Sequence, residues 1–371
     1  MKRSQQLDLF AAAEDEPGPA ARAVTPRRHL AAVPDTDRRT DLAKLAALHA
    51  EAAAIPGLAV APPAPPSKPK LRTFPVPSGI RAHQAAQRIA EAAADAWHSH
   101  HGGSRMEIPV GVVAALALWP LKGPDALKQA DWMLGLDADD LVRLIRECLA
   151  YWWMRRPDLV HRAAPIATWT EEALSKHELA CVKAVAHAAI THGLLTVTGS
   201  SDPYDLAECD LMSWMVTTLR SKGAREGLGE YHTPPEICEL MARMQLGDCS
   251  DVKPGYGFCD PAGGTGGMTR AAAQILREHR IDPAACRWHL NDIDPIAAAG
   301  AAVNVILWGL GPNATVWCGD VLAEADTEGL ALEEKTAIFR HRDALLGGAT
   351  MIAAVGRAEA MLAGVTADKA A

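Results

Sequence analysis

Phe258-Cys259-Asp260-Pro261-Ala262-Gly263-Gly264-Thr265-Gly266-Gly267 is the stretch whose reading decides the fold. Phe258-Cys259 reads as a short apolar strand. Gly263 to Gly267 read as a turn in which missing side chains let backbone approach a ligand closely. Met268 to Glu278 read as a helix whose first N–H groups point at that ligand. The pattern then repeats. Trp288-His289-Leu290 is a second strand with Asp292 at its C-terminal end, where an acid suits the hydroxyls of a ribose. Asp294-Pro295 reads as the cap of the next helix. Thr315 to Cys318 form a third strand, again followed by an acid, Asp320. Strand-turn-helix units of this kind build a nucleotide-cofactor site.

Upstream of this stretch stands Tyr231-His232-Thr233-Pro234-Pro235-Glu236. Locally, Thr233 reads as a helix cap, Pro234 as the first helical residue and Glu236 as the partner in a capping box. Together the four segments, Tyr231 to Glu236, Asp260 to Gly267, Asn291 to Pro295 and Gly319-Asp320, resemble the S-adenosylmethionine (SAM) site of adenine-N6 DNA methyltransferases. Among these, the modification subunit of type I restriction systems is the nearest likeness. The resemblance covers roughly residues 205 to 322. It implies that Thr233 helps hold the SAM carboxylate and that Asp260 meets the methionine amino group. Gly263, Gly264 and Gly266 would give the close backbone approach, Asp292 would take the ribose and Asp320 the adenine amino group. For the three acids, the competing reading is strand-end capping.

The resemblance stops after Asp320. The family's chemistry sits on an Asn/Asp-Pro-Pro-Tyr/Phe loop, whose oxygens accept from the adenine amino group and whose ring stacks on the flipped base. No such tetrapeptide follows Asp320, and the Pro-Pro pairs all lie upstream. The catalytic residues are therefore unknown. Three strands are offered where the family's fold has seven, leaving strand one at a bare edge. The C-terminal helices or a partner chain would have to cover that edge. Leu332 to Leu346 and Met351 to Leu362 read as two helices broken at Gly347-Gly348.

The rest of the chain is consistent with an α + α/β class: a mostly helical N-terminal domain followed by a truncated Rossmann-like SAM-methyltransferase domain. The boundaries read as 1–78 tail, 79–229 helical, 230–325 SAM-binding and 326–371 C-terminal helices. Ile80 to Trp97 has helical alternation. His98 to His101 form a polar helix end with no accompanying cage, so no metal site is expected. Val110 to Trp119 is apolar but too short to cross a bilayer, and reads as a buried helix. Asp137 is a candidate cap for a helix to about Arg155. Thr168-x-x-Glu171 reads as the capping box of a long helix ending near His192-Gly193, and Leu206 to Lys222 as one further helix. Trp152 and Trp153 read as core residues rather than base-stacking rings.

The formal charge is −8, with 49% hydrophobic content. Residues 1–78 are net basic, so the remainder is acidic, which argues against broad electrostatic binding of nucleic acid by this chain alone. The eight cysteines show no zinc spacing and read as reduced cytosolic thiols; Cys259 is expected to pack in its strand. In the Pro-rich tail, where Asp41 to Ala54 is at most a short helix, Gln6-Leu7-Asp8-Leu9-Phe10 resembles the pentapeptide by which bacterial proteins bind the replicase sliding clamp. The competing reading is a solvated tail without a partner.

These readings predict a cytoplasmic, SAM-binding, DNA methyltransferase-like protein that does not transfer methyl groups by itself. Its expected partners are DNA, the sliding clamp, and a subunit supplying specificity or the catalytic loop, with no membrane. The alternatives are a non-catalytic SAM- or DNA-associated accessory module of a phage or mobile element, and a small-molecule methyltransferase.

Overall fold

The computed structural model describes residues 82–121, 123–220 and 233–368. The clamp-like segment Gln6 to Phe10, the possible helix from Asp41 and the pair Tyr231-His232 lie outside the described residues.

Alanine-rich and apolar periodic stretches become helices. α1 is Ala82–Ser99, burying Ala86, Ile89, Ala90, Ala93 and Trp97 along one face, and α2 is the buried helix Glu107–Ala117. α3 is Ala126–Leu134. α4 is Ala138–Arg155, capped as expected by Asp137, whose carboxylate accepts from Asp140 N at 2.8 Å. α5 is Pro157–Arg162 and α6 is Lys176–Thr191. α7 is the short turn Leu194–Val197, α8 is Pro203–Ala207 and α9 is Leu211–Leu219. α10 is Pro235–Leu246.

Three expectations about these helices are corrected. Thr168–Glu171 is a 3₁₀ turn, and the capping box belongs to Ser175 and Glu178 at the start of α6. Both sites spell Ser/Thr-x-x-Glu; only the second has its reciprocal bonds, Ser175 N to Glu178 Oε2 at 2.8 Å and Glu178 N to Ser175 Oγ at 3.2 Å. The single helix read from Leu206 is instead α8 and α9, because Asp210 turns its carboxylate onto Ser213 N and starts a new helix. Thr233 makes no side-chain cap. Pro234 is the N-cap of α10, with extended ψ of 144°, and Pro235 takes the first helical position. A residue before proline is pushed out of the helical region, which displaces the start by one residue.

The sheet follows. β1 is Gly257–Asp260, α11 is Gly267–Glu278, β2 is Arg287–Asp292, α12 is Pro295–Leu307 and β3 is Ala314–Cys318. The strands lie parallel in the order β1-β2-β3. Register pairs Phe258 with Trp288 and Asp260 with Leu290 on one side, and Trp288 with Ala314 and Leu290 with Val316 on the other. One face therefore carries Phe258, Trp288, Leu290 and Val316, all buried. Phe258 and Trp288 stack with centroids 4.2 Å apart. α12, apolar except for Asn304, packs between β2, β3 and the helices α2, α5 and α9. The helical part and the sheet thus share one core.

α13, Thr327–Asp368, is one continuous helix, not two. Gly347 and Gly348 stay in right-handed backbone. Each glycine costs about 1 kcal/mol of helix propensity, which the surrounding Ala, Leu and Met tolerate. α13 packs on β3 and α5 rather than along β1. Among the described residues nothing pairs with the outer edge of β1, and Cys259, expected in the core, is exposed there. All eight cysteines are free. No described helix is long and apolar enough to cross a membrane.

Candidate cofactor site

The C-terminal ends of the strands are stitched together by backbone and by one amide. Gly263 N donates to Asn291 O at 2.9 Å, and Gly319 N donates to Asp292 O at 3.1 Å. The Asn291 side-chain nitrogen donates to Pro261 O at 3.0 Å and Gly319 O at 3.1 Å. It spans the loops that follow β1 and β3 from the end of β2. The acids and the glycine turn are therefore held on one edge of the sheet.

Asp260 is 3% exposed. Its Oδ2 is buried without a hydrogen-bond partner. Burial, more than the nearby charge of Asp292, pushes its pKa up to about 6, against the Ala262 N–H that favours the ionised form. A Cβ at Gly263 would lie 3.2 Å from Asp260 Oδ2, so glycine leaves this buried oxygen uncrowded. A buried carboxylate with an unpartnered oxygen suits a cationic donor such as an ammonium group.

The turn itself is closed by Gly266 N donating to Gly263 O at 2.8 Å. Gly266 has φ of +99°, and a Cβ there would lie 3.0 Å from Leu290 Cδ2 and 3.1 Å from Trp308 Cζ3. Only glycine meets both conditions. Gly264 has φ of +56° and open space where a Cβ would stand. The turn thus presents backbone, not side chains, above the N-terminus of α11.

Asp292 is committed at both oxygens. Oδ2 accepts from Gly264 N at 2.7 Å and Oδ1 from Asp294 N at 2.9 Å. A carboxylate offers about four acceptor positions, so room remains for hydroxyl donors while the side chain stays fixed. Asp294 caps α12 as expected, through Ile296 N at 3.3 Å and Ala297 N at 2.9 Å, and is ion-paired to Arg220. Asp320 is exposed; its carboxylate accepts from Leu322 N at 2.9 Å and shapes the turn after β3. Thr233 is exposed, and its carbonyl accepts from the Cys238 thiol at 3.6 Å.

The structure thus brings Asp260, the glycine turn and Asp292 into direct contact, with Asp320 on the adjoining loop. Thr233 belongs to the neighbouring helix start. Sequence reading missed Asn291 and Asn304. Asn304 had a visible signal: it is the lone polar side chain in the apolar run of α12. Asn291 gave none, since it sits beside the acid that drew attention. Among the described residues no His/Cys/Asp/Glu group could hold a metal ion.

This arrangement can be set beside known proteins. Residues 209–338 match the family described as N-6 DNA Methylase. The match opens at Cys209, just before the Asp210 cap, and runs through the three strands into α13. No curated protein matches the chain. Among solved structures, the chain is similar to the type I restriction-modification system methyltransferase subunit from Streptococcus thermophilus. It is 14% identical, with a TM-score of 0.40, over 65% of this chain and 58% of that one. The chain therefore spans under two thirds of that subunit's length.

Proposed function

We propose that this N-6 DNA methylase-like chain binds SAM across the ends of β1, β2 and β3 in a Rossmann-like site, and serves adenine-N6 methylation of DNA. The observation that carries the reading is the buried, unpartnered Asp260 oxygen beside a turn that only glycine can form. Asp260 would hold the methionine ammonium, Gly264 and Gly266 the close backbone approach, and Asp292 the ribose hydroxyls. Asp320 stands on the loop where the adenine ring would lie, and Thr233 at the start of α10 on the carboxylate side. When bound, SAM supplies an electrophilic methyl group. What this chain's own residues do is orient that molecule and shield one end of it from water.

The division of labour follows from the sequence. No Asn-Pro-Pro-Tyr-type loop lies between Asp320 and Ala371, so we assign the holding of the target base to residues outside these 371. By themselves these 371 residues would be a SAM-binding module. A DNA substrate rests on the family match; the modification-subunit role and a partner subunit rest on the sequence resemblance and on this division.

Tritiated SAM and unmethylated DNA test the proposal. The pure protein is expected to leave the DNA unlabelled, and addition of lysate from the source organism is expected to give label on adenine N6. Label with the pure protein would overturn the division of labour. No label under either condition would overturn the role in DNA methylation.

A further inference from the structure

The glycine turn is held from behind by a residue that no reading of the cofactor contacts includes. Thr265, inside the turn, is 3% exposed. Its carbonyl accepts from Asn304 Nδ2 at 2.9 Å. Asn304 is fully buried in α12 and also donates to Asp210 Oδ1 at 3.4 Å. Both neighbours are acceptors, so the amide nitrogen must face them. One helical turn earlier, Gly300 makes room for Thr265: a Cβ there would lie 3.0 Å from Thr265 Cγ2 and 3.4 Å from Met212 Cβ. Thr265 is thus seated in a notch formed by Gly300 and Asn304, with α9 closing the far side.

The Asn304 Oδ1 atom is buried with no hydrogen-bond partner. A half-satisfied amide in an otherwise apolar helix face costs free energy. The benefit offsetting that cost is the bond to Thr265. We propose that Asn304 is a positioning residue for the cofactor turn. It fixes the Thr265 carbonyl inward, which sets the orientation of the Gly264 to Gly267 amides, and through Asp210 it ties the turn to the cap of α9. Cofactor affinity then depends on the helical part of the protein, whose Asp210 and Met212 meet Asn304 and Gly300 behind the turn. The consequence for affinity rests on the SAM reading; the holding of the turn does not.

The test reads both, on the full chain. Amide hydrogen exchange is measured without cofactor in wild type, Asn304→Leu and Asn304→Asp, and SAM binding is measured by calorimetry. Asn304→Leu is expected to speed exchange at Gly264 to Met268 by about three- to tenfold, the range for one lost hydrogen bond, with α1 and α6 unchanged. SAM affinity should fall by a similar factor. Asn304→Asp keeps the shape but has no donor when ionised, and should match the leucine variant at pH 8. Its carboxyl would face Asp210, which acts on His83 and Cys238 together with Arg270, Glu239, Glu208 and Asp260. The two acids repel, so the introduced carboxyl should protonate readily, donate again, and bring exchange at the turn back toward wild type near pH 5.5. A packing role alone would give no such recovery. Unchanged exchange at the turn in Asn304→Leu, or an Asn304→Asp profile parallel to wild type at all pH, would overturn the proposal. Should the leucine variant fail to fold, Gly300→Ala perturbs the same contact and is expected to raise exchange at the turn. Altered exchange in a protein that never binds SAM would leave the positioning role standing and remove the cofactor reading.

Discussion

Replacing Asp260 with asparagine should stabilise the protein while removing its cofactor. The carboxyl is 3% exposed, with one oxygen unpartnered. Its pKa rises from an ordinary 3.8 to about 6 on folding. That difference corresponds to about 3 kcal/mol of unfavourable burial once the group is ionised. The sign follows from linkage. Between pH 4 and pH 6 the folded state binds more protons than the unfolded state, so this group's stabilising contribution is lost as pH rises through that window. Asparagine never ionises and escapes the loss. Its own unpaired N–H groups cost about 1–2 kcal/mol, leaving a net gain of roughly 1–2 kcal/mol and about 2–4 °C in Tm. Thermal melts of both proteins across pH 4.5 to 8 provide the assay. The variant should melt higher at pH 7.5, with the gap closing toward pH 4.5. SAM binding should fall by at least about tenfold, because a charged partner for the ammonium is gone. A variant less stable than wild type at pH 7.5 with SAM affinity intact would refute the reasoning on both counts.

The two glycines of the turn should separate by steric surroundings. Gly266→Ala places a Cβ against Leu290 and Trp308 at positive φ and should cost roughly 2–4 kcal/mol in chemical denaturation, whereas Gly264→Ala, in open space, should cost only about 1 kcal/mol. Asp292→Ala should weaken SAM binding by about tenfold or more and loosen the Gly264 amide it accepts from, while the exposed Asp320→Ala should change stability by less than about 0.5 kcal/mol; equal stability losses would contradict their different burial. For the tail, a peptide of residues 1–16 should bind the bacterial sliding clamp and a Leu9→Ala, Phe10→Ala double variant should not; like behaviour of the two peptides would show the match to be accidental.

Much of the sheet was legible because its strands are bounded by special residues. Phe258-Cys259, Trp288 to Leu290 and Thr315 to Cys318 each end at glycine or an acid, and the structure extends them by one to three residues. The helix caps were harder. Ser/Thr-x-x-Glu occurs at both Thr168 and Ser175, and local spelling cannot say which reciprocal bonds form. Asp210 broke a helix that propensity alone would continue. The continuity of α13 through Gly347-Gly348 shows the reverse error, since glycine is a weak breaker when flanked by strong helix formers. At the site, sequence pattern pointed to groups with charge, Asp260, Asp292 and Asp320. It was silent on what orients them, because the work of Asn291 and Asn304 depends on carbonyls brought close only by the fold. The exposure of Cys259 was missed although β1 was expected at an edge: it lies on the face opposite Phe258 and Asp260, and a strand's sequence does not say whether a helix covers that face.

Calorimetric titration of the 371-residue chain with SAM at pH 7.5 tests the central claim most directly. The account predicts saturable one-to-one binding that is weakened by Asp260→Asn and by Asp292→Ala. A folded protein, verified by circular dichroism, that shows no heat of binding at millimolar SAM would contradict it.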